Sequence, residues 1–482
     1  MNKVMLLYPP GKLLQRSEDR AQCNISESAA GSVHACNDLG YCAAVLLQKG
    51  YEVFLRDYQT EKASFEDVVR DVQSFQPDMI ALSTTNTSVN DDLSFLNAVR
   101  FVHPFVGVMK GALFYDIDPE LLPLLDLQSV SCLIGCEMEF VIGALADHYL
   151  RQQGALIEID DILFKQDDHF VKNRFSCGQN DLDALPFPAR HLMNNALYVR
   201  PDTGEPMATI QTGLGCPSNC TYCLTPIISG KTVRKREIES IYREIEECYN
   251  RFHIRNFFFK ADTFTIDEAY AGALCERIVQ SPLYGKIAFT VNSRVKPLSM
   301  ELLRKLKQAG CFTIAVGFES GSDETLRRIR KGTTVADNLN AAKMIKAAGI
   351  PLFGFFMIGF PWETKALIEE TQRLIHAIDP DFIELHVAMP YYGTALYDEC
   401  EKAGVLQGDG FGHDYYAPNT KGTATLSGAE VDALKKEILL RFYLRPSYIL
   451  KKTLGAVKQP KILLSYVRYG CRLVKKNLLT LS

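Results

Sequence analysis

Three cysteines share one short loop of this 482-residue chain. Cys216, Cys220 and Cys223 follow a C-x-x-x-C-x-x-C spacing within the segment QTGLGCPSNCTYCLTP. Three thiolates so close in sequence cannot lie along one helix face, so we expect a tight loop wrapped around a ligand. A structural zinc would need a fourth ligand, usually from a second cysteine or histidine pair, and no such pair follows. Three cysteines around an iron–sulfur cube would leave one iron open to a small molecule; the alternative is three unrelated buried cysteines.

Tyr222, the aromatic residue before the last cysteine, completes a pattern that resembles the radical S-adenosylmethionine enzymes. The resemblance implies a 4Fe–4S cluster whose open iron is chelated by the amino and carboxylate groups of S-adenosylmethionine. It also implies reductive cleavage of that molecule to a 5′-deoxyadenosyl radical, with Tyr222 beside the cofactor. We expect the electron to come from an external one-electron reductant such as flavodoxin or ferredoxin.

The residues after Met207 alternate short apolar strands with longer amphipathic helices. This rhythm predicts six β/α units, a partial barrel rather than a closed barrel of eight. Barrel enzymes place their chemistry on loops at the carboxyl ends of the strands, and the cysteine loop follows the first predicted strand. The predicted strands are Met207–Thr212, Asn256–Phe259, Ile287–Asn292, Thr313–Val316, Leu352–Met357 and Phe382–His386.

The other predicted strand ends are polar or rich in glycine, and each suits a part of S-adenosylmethionine. The blocks N-S-R, G-F-E-S-G-S and G-F-P-x-E-T resemble those of the cobalamin-type members of the radical family. After the second strand, Lys260-Ala261-Asp262 replaces the glycine-glycine-glutamate block of other radical enzymes. Ordinary capping or turn chemistry is the alternative at each end. The predicted ligands are Asp262 for the ammonium, Asn292 and Arg294 for the carboxylate or ribose, Glu319 at the mouth, and Ile358 and Gly359 for the adenine edge.

The first 154 residues also alternate strands with helices, which predicts a doubly wound parallel sheet. Ligands of such sheets bind at the carboxyl ends of the strands. The predicted strands are Lys3–Tyr8, Tyr51–Asp57, Met79–Ser83, Val106–Met109 and Cys132–Ile134.

This layout resembles the cobalamin-binding domain that precedes the radical domain in one large subfamily. The matching pieces are the early Pro-Pro, the segment DLGYCAAVLLQKGYEV, the Ser/Thr-rich loop and GCEMEF. The D-x-H-x-x-G signature is absent, and neither His34 nor His103 lies in that context, so we expect no histidine on the cobalt. The alternative is a domain kept for packing or for another ligand. The predicted cobalamin contacts are Pro10, Ser83, Thr84, Thr85, Asn86, Thr87, Lys110, Gly111, Gly135 and Glu137.

The predicted fold class is therefore α/β: a Rossmann-like cobalamin-binding domain, a partial (β/α)6 TIM-type radical barrel and a helical tail. The domain bounds are 1–154, a hairpin and linker at 155–205, the barrel at 206–400 and a substrate cap with a basic helical region at 401–482. We expect a hairpin of Ala155–Phe164 with His169–Phe175. The substrate-facing candidates are Tyr391, Tyr392, His386 and, on a lid at 411–416, His413.

Composition restricts the partners. A net charge of −4 argues against a nucleic-acid binder, and the fourteen cysteines suggest reduced thiols of a cytoplasmic protein. No signal peptide and no run of about 20 apolar residues is evident.

The segment from Lys435 to Ser482 is basic, with Glu437 its one acidic residue, which favours peripheral contact with the inner membrane surface. The alternative is a helical cap with solvated charges.

The predicted function is a cobalamin-dependent radical enzyme, foremost a methyltransferase acting on an unactivated carbon of a lipid, isoprenoid or secondary-metabolite substrate. A second enzyme hypothesis keeps the radical step but forms a ring, rearranges carbon or joins two carbons. A third, from another class, is a non-catalytic cobalamin or redox sensor. The polar strand ends argue against a sensor, because a sensor has no need to bind S-adenosylmethionine.

Overall fold

The computed structural model describes residues 2–17, 33–115, 117, 119–167, 169–406, 422–457 and 460–478, with the side chains of 460–461 and 473–478 left out of the description. Two α/β units follow one another along the chain, and three helices follow the second unit. The predicted fold class is confirmed.

The first unit contains a seven-stranded sheet with strand order β2-β1-β3-β4-β5-β6-β7. The five strands from β2 to β5 in that order are parallel, and β6 and β7 add an antiparallel edge. The strands are β1 (Lys3–Tyr8), β2 (Glu52–Asp57), β3 (Met79–Ser83), β4 (Val106–Lys110), β5 (Cys132–Ile134), β6 (Ile162–Gln166) and β7 (His169–Lys172). The helices are α1 (Asn37–Gln48), α2 (Tyr58–Glu61), α3 (Phe65–Phe75), α4 (Val89–Arg100) and α5 (Met138–Arg151).

Both faces of this sheet are covered, which explains the continuous apolar strands in the sequence. Along β1, Leu6 and Tyr8 pack into one core, whereas Met5 and Leu7 pack into the core on the opposite face. Helices on both faces of a parallel sheet define the doubly wound arrangement.

The predicted hairpin is shorter than expected, and it belongs to the first sheet. Residues 155–161 form no strand; a short 3-10 turn occupies Leu156–Glu158 instead. The Asn173 side-chain amide donates hydrogen bonds of 2.7 Å to the carbonyls of Leu156 and Ile159. These bonds satisfy backbone groups locally, so the alternating pattern of residues 155–159 does not extend the ladder.

The second unit contains six parallel strands in the order β15-β14-β13-β12-β11-β8. Each strand pairs with the next along the chain, which gives the predicted open barrel of six units. Its strands, with a small β9–β10 ribbon, are β8 (Met207–Gln211), β9 (Gly213–Leu214), β10 (Arg234–Lys235), β11 (Asn256–Lys260), β12 (Ala288–Ser293), β13 (Cys311–Glu319), β14 (Leu352–Ile358) and β15 (Phe382–Val387). The barrel helices are α6 (Thr225–Ile228), α7 (Ile238–Phe252), α8 (Glu268–Val279), α9 (Met300–Ala309), α10 (Asp323–Arg328), α11 (Val335–Ala347), α12 (Lys365–Ile378) and α13 (Ala395–Lys402).

Three more helices follow: α14 (Gly428–Tyr443), α15 (Pro446–Ala456) and α16 (Pro460–Leu478). α14 runs along the barrel from Val431, beside Gly359 at the carboxyl end, to Tyr443 at the amino end, where α15 and α16 also lie. The Tyr443 hydroxyl donates to the Ile383 carbonyl at 2.7 Å and accepts from the Ile383 N–H at 2.9 Å. The Tyr448 hydroxyl donates to the Asp381 carbonyl, just before β15, at 2.8 Å. In the part of the chain that the structure describes, no helix is long and apolar enough to cross a membrane.

One cysteine prediction is wrong. Cys136, directly after β5, forms a disulfide with Cys177, so the cysteines are not all reduced thiols. The two residues are 41 positions apart, and the hairpin β6–β7 brings them together at the sheet edge. Scattered cysteines in a sequence do not indicate such a pair.

Candidate active site

A cavity of about 720 Å³ runs through the barrel. Alternate residues of the strands face it, as the two-residue period of a strand requires. Along β13 these are Thr313, Ala315, Gly317 and Glu319. The cavity is within the size range of small-molecule sites. The same alternation supplies Thr290 and Asn292 from β12, Phe353, Phe355 and Met357 from β14, and Phe382, Glu384 and His386 from β15.

The three predicted cluster ligands lie together on the wall of this cavity. Cys216, Cys220 and Cys223 all contribute to its lining, at the carboxyl end of β8. Gly215 turns the loop with φ +93°, and a Cβ there would lie 2.0 Å from the Thr232 carbonyl oxygen, so only glycine fits. The loop is thus shaped by a close backbone approach, not by a helix.

The spacing of the three sulfurs distinguishes a cluster from a single ion. Sulfurs on one tetrahedral zinc, each about 2.3 Å from the metal, would lie about 4 Å apart. Among the described residues, one group of three ligand atoms lies within 4.8 Å of one another, and it is Cys136, Asp161 and Cys177, not the triad. The triad therefore fits a larger group better than a zinc ion.

The sulfurs have polar neighbours. The Arg294 guanidinium donates to the Cys220 Sγ at 3.8 Å, and the Thr263 hydroxyl lies 3.8 Å from the Cys216 Sγ. Burial raises the pKa of the Cys223 thiol to about 11, so its thiolate needs a cationic partner to form. A metal cluster is such a partner, since it binds the thiolate form.

Asp262 performs a local task as well as lining the cavity. Its carboxylate accepts the Gly215 N–H at 2.7 Å, which attaches the cysteine loop to the end of β11. Its assignment to the methionine ammonium stays a prediction. Asn292, on β12, also lines the cavity, and Arg294, just beyond that strand, donates to the Lys331 carbonyl.

A buried ion pair stands beside the triad. Glu319 ends β13 in the left-handed region, with φ +62°, and accepts a 2.6 Å bond from the Lys331 ammonium. Their side chains are 9% and 5% exposed, and both line the cavity. Tyr222 lies next to them, with its hydroxyl 3.5 Å from the Lys331 Nζ. Burial, then the Glu319 charge, raises the pKa of Tyr222 well above its ordinary value, so the phenol is neutral.

Lys331 was absent from the sequence predictions. It follows α10, twelve positions after its partner, and Arg330 turns the chain toward Glu319 with φ +54°. No short-range pattern indicates this pair.

Ile358 and Gly359 lie at the end of β14 but outside the cavity lining. Gly359 turns the chain with φ +84°, and the buried Glu363 carboxylate accepts the N–H groups of Gly359 (2.7 Å) and Phe360 (3.2 Å). Burial raises the pKa of Glu363 to about 7. The adenine contact stays a prediction. Glu363 shapes this loop, and its place in the G-F-P-x-E-T block was the signal that could have identified it.

The predicted cobalamin residues lie at the carboxyl edge of the first sheet. Pro10 follows β1, Ser83 ends β3, Lys110 ends β4 and Gly135 follows β5. Because the strands are parallel, these ends meet at one edge of the sheet.

Hydroxyl groups at this edge bind carboxylates of their own domain. Ser83 donates to Asp38 at 2.6 Å, and Thr84 donates to Asp92 at 2.6 Å. Arg16 binds both oxygens of Asp92, at 2.6 and 2.9 Å. These hydrogen bonds to carboxylates of the same domain therefore hold the Ser/Thr loop in place.

The remaining predicted residues complete this edge. Thr85, whose hydroxyl lies 2.9 Å from that of Ser88, and Asn86 are buried, and Thr87 is half-buried. A Cβ at Gly111 would lie 2.8 Å from the Thr84 methyl group, and one at Gly135 would lie 2.5 Å from the Tyr115 Cα. The edge is thus closely packed. Glu137 accepts from Arg234, on β10 of the barrel, at 3.0 Å, so it joins the two units.

The carboxyl edge of the first sheet packs directly on the cysteine loop. Ala112, two residues beyond β4, shares one buried cluster with Leu224 and Ile228, which follow Cys223. Lys260, at the end of β11, donates to the Ser17 carbonyl. The predicted cobalamin edge and the triad therefore adjoin each other.

Of the predicted substrate-facing residues, some line the cavity and others do not. Tyr391 is buried in that same junction, and Tyr392 packs edge-on against Tyr397 with ring centroids 5.3 Å apart; neither ring lines the cavity. His413 lies outside the described residues. His386 does line the cavity, where burial, aided by Lys435, lowers its pKa to about 3. The histidine is therefore neutral near pH 7.

The family model of the radical SAM superfamily matches residues 210–375, which include the triad and the ion pair. Among curated proteins, an uncharacterized methyltransferase of Pyrococcus horikoshii is 26% identical over 449 residues, 93% of this chain and 94% of the relative. An anaerobic magnesium-protoporphyrin IX monomethyl ester cyclase of Cereibacter sphaeroides is 24% identical over 416 residues, 84% of this chain and 66% of the cyclase.

Two solved structures have the same two-unit architecture. The methyltransferase TsrM from Kitasatospora setae, with cobalamin and a 4Fe–4S cluster bound, is 18% identical with a TM-score of 0.66, covering 85% of this chain and 77% of TsrM. The radical enzyme OxsB, with aqua-cobalamin and S-adenosylmethionine bound, is 15% identical with a TM-score of 0.70, covering 97% of this chain and 72% of OxsB.

Proposed function

Because the chain belongs to the radical S-adenosylmethionine superfamily, we propose that this enzyme is a cobalamin-dependent methyltransferase that acts on an unactivated carbon of a small molecule. One observation carries the proposal: the carboxyl edge of the first sheet packs on the cysteine loop of the barrel, through Ala112, Leu224 and Ile228. A methyl donor at that edge and a radical source at the triad would face the same space.

The residues present fit the proposed cofactors. The triad would hold a 4Fe–4S cluster, with the Arg294 guanidinium beside the Cys220 sulfur. The Glu319–Lys331 pair offers one charge of each sign to the zwitterionic methionine group of S-adenosylmethionine. The cobalamin would lie against the rigid edge formed by the Ser83–Asn86 loop, Gly111 and Gly135.

When bound, the cluster and S-adenosylmethionine would supply radical chemistry, and the cobalamin would supply the methyl group. The protein's task is to orient them and to exclude water. The half-buried Asp38 and the buried Asp92 and Arg16 side chains fix one edge, and the Asp262–Gly215 hydrogen bond fixes the other. TsrM, the Pyrococcus relative and a cytidylyl-2-hydroxyethylphosphonate methyltransferase of Streptomyces wedmorensis are named as methyltransferases, which supports the reaction class.

The substrate is proposed to be a lipid or isoprenoid, because the end of the cavity remote from the triad is lined by aromatic and aliphatic side chains such as Phe353, Phe382 and Leu463. An external one-electron reductant, such as a flavodoxin or ferredoxin, would feed the cluster. Contact of the basic helical tail with a membrane surface would suit such a substrate.

The test uses protein purified without oxygen, reconstituted with iron, sulfide and cobalamin, and reduced in the presence of S-adenosylmethionine. We expect both 5′-deoxyadenosine and S-adenosylhomocysteine by mass spectrometry, with both lost in Cys220→Ala. Omitting cobalamin should abolish S-adenosylhomocysteine and leave 5′-deoxyadenosine. A protein with a full cluster that forms neither product would refute the proposal.

Ring formation without methyl transfer is the second candidate, favoured by the similarity to the Cereibacter cyclase. It predicts 5′-deoxyadenosine without S-adenosylhomocysteine even when cobalamin is present. The mass of the product separates the two candidates, because methylation adds one methyl group per turnover.

A further inference from the structure

The amino end of the barrel cavity is lined mainly by aromatic and aliphatic side chains, whereas the triad end is lined by cysteines and charged groups. Phe312, Phe353 and Phe382 lie at the starts of three neighbouring strands and line the cavity there. The helices that cover this end add four tyrosine rings and several aliphatic side chains. They are Tyr443, Leu444, Tyr448, Ile449, Leu463, Tyr466, Val467 and Tyr469.

This apolar end opens to the surface. Leu444, Ile449 and Val467 line the cavity, yet 40%, 48% and 55% of their surfaces are exposed. Side chains that belong both to a cavity wall and to the surface mark a mouth, here called the helical mouth. It lies between α14, α15 and α16.

The length of the barrel separates the helical mouth from the triad. β14 spans seven residues, Leu352–Ile358, which corresponds to about 20 Å of extended chain. A ligand that reaches both ends of the cavity is therefore elongated, with an apolar part at the helical mouth and its reacting carbon near the triad.

Exposed apolar side chains surround the helical mouth. Leu450, Leu454 and Val457 are 60%, 65% and 61% exposed and follow an i, i+4, i+7 spacing along α15 and its end, so they form one stripe. Leu464 on α16 is 51% exposed. Half of the strongly exposed large apolar residues among those described lie between residues 444 and 467, which is a patch and not scatter.

Basic residues border the patch. Lys451 is half exposed and lies 3.8 Å from Asp379 and 3.7 Å from Asp381, and Arg468 and Arg472 are exposed on α16. Lys452 lies 4.1 Å from the Phe382 ring centroid at the helical mouth and binds Asp381 at 3.0 Å. Apolar stripes flanked by cations fit an anionic bilayer surface, where the cations meet lipid headgroups and the apolar side chains enter the interface.

We propose that α15 and α16 dock on an anionic lipid surface and that the helical mouth admits the apolar tail of an amphiphilic substrate from that surface into the barrel. This inference rests on the proposed function, whose substrate class it names. S-adenosylmethionine and cobalamin act at the opposite, carboxyl end, so the substrate tail and the cofactors use different ends of the barrel.

Vesicle sedimentation tests the docking step. The holoprotein should sediment at least tenfold more with vesicles of phosphatidylcholine and phosphatidylglycerol than with phosphatidylcholine alone, and less at high salt, since salt screens the cations. Leu450→Asp with Leu454→Asp should reduce binding at least tenfold. Phe101→Asp is the matched control, because Phe101 is 94% exposed on the other unit. Equal binding to both vesicle types, or equal loss in the control, would refute docking.

A second copy of the chain is the competing occupant of the patch. Sedimentation equilibrium of the same variants separates the two: a wild-type dimer that becomes a monomer in Leu450→Asp with Leu454→Asp, with vesicle binding unchanged, would overturn the lipid assignment.

A fluorescent fatty acid, 11-(dansylamino)undecanoic acid, tests the helical mouth. Ile449→Trp fills the mouth and should weaken probe binding at least tenfold. Leu450→Trp is the matched control, because Leu450 is the neighbouring residue but lies outside the cavity lining. Unchanged affinity in Ile449→Trp would refute tail entry.

Failure of this inference and failure of the proposed function are distinguishable. The Leu450/Leu454 variant lies outside the cavity lining and does not touch the triad, so it should retain full iron content and substrate-free formation of 5′-deoxyadenosine. Loss of that product in the wild type would refute the proposed function and leave the vesicle and probe results standing.

Discussion

The carboxyl edges of the two sheets present the same sequence signal and different structures. In both, polar residues follow parallel strands. At the first edge, Ser83 and Thr84 donate their hydroxyls to carboxylates of their own domain, the half-buried Asp38 and the buried Asp92. At the barrel edge, Asn292 and Glu319 line a cavity of about 720 Å³.

This difference shows that polar residues at strand ends can either stiffen the edge of a sheet or bind a ligand directly. The first edge has its side chains bonded inward, so it can offer a stiff surface made of backbone and small residues, which suits a large flat ligand. At the barrel edge, the buried Glu319–Lys331 pair and Asn292 line the cavity, which suits the recognition of a small charged ligand. Substitutions at the first edge should therefore affect stability, and substitutions at the barrel edge should affect chemistry.

The largest expected effect is at the triad. Cys223→Ala removes one of the three predicted cluster ligands, so we expect iron content close to background and no detectable 5′-deoxyadenosine, with the urea midpoint of the metal-free protein unchanged. Cys471→Ala, at an exposed cysteine on α16, is the control and should keep both iron and product. A cluster that survives in Cys223→Ala would contradict the comparison between the two edges, because ligand binding at the barrel edge would then not depend on the side chains there.

The next effect is at the buried ion pair of the first edge. Arg16 and Asp92 are 3% and 2% exposed and 2.6 Å apart. Arg16→Ala leaves a buried carboxylate without its cation, so we expect the free energy of unfolding to fall by about 3–5 kcal/mol. Urea denaturation of the metal-free protein measures this.

Lys12→Ala is the matched control for Arg16. Lys12 and Asp91 are 3.6 Å apart and 63% and 71% exposed, so their pair contributes about 0–1 kcal/mol. Similar losses in the two variants would contradict a rigid, self-bonded edge. Iron content should be unchanged in both.

A pH experiment sharpens the role of Glu363. Burial raises the pKa of its carboxyl from an ordinary value near 4.5 to about 7 in the folded protein. Between those pH values the folded state keeps a proton on Glu363 that the unfolded chain releases, so the contribution of Glu363 to stability falls as pH rises through this window, by about 3 kcal/mol at most.

Glu363→Gln should remove this contribution, because an amide does not titrate, so the stability difference between wild type and variant should change by about 3 kcal/mol at most across the window. The urea midpoint measured from pH 4.5 to 7.5 gives the result. Glu301→Gln, at a side chain that is 78% exposed, is the control and should keep this contribution. A difference between wild type and Glu363→Gln that stays constant across this window would show that Glu363 does not titrate there.

Local patterns made much of the fold predictable. β1, β3 and β5 have the bounds expected from sequence, because each is a short, mainly apolar run that is buried on both faces. The cysteine loop was also predictable, since its spacing and its position after the first barrel strand are local facts. Ranges such as 155–161 were wrong where a side chain, Asn173, satisfied the backbone in place of a strand.

Long-range pairs were not predictable. Thr84 and Arg16 meet at Asp92 only after the first sheet has formed, and Cys136 meets Cys177 only after the hairpin has paired. The helical mouth forms only when α14 to α16 cover the starts of the barrel strands. The hydrophobic periodicity of these helices does not predict where they pack. Lys331 belongs to the same class, because a turn at the end of α10 is needed to return it to Glu319.

The smallest expected effect therefore tests a residue that only the structure identified. Lys331→Met removes an ammonium that lines the cavity beside Glu319, and one charged hydrogen bond from it to the methionine group would contribute about 2 kcal/mol, or roughly 30-fold in affinity. We expect this loss in S-adenosylmethionine binding by calorimetry, with iron content unchanged. Lys296→Met is matched to it, because Lys296 pairs with Asp337 at 2.6 Å but is 55% exposed, and it should bind normally. Glu319→Gln combined with Lys331→Met should cost less than the sum of the single changes, since the two residues act as one pair; additive losses would mean that each charge meets the ligand independently.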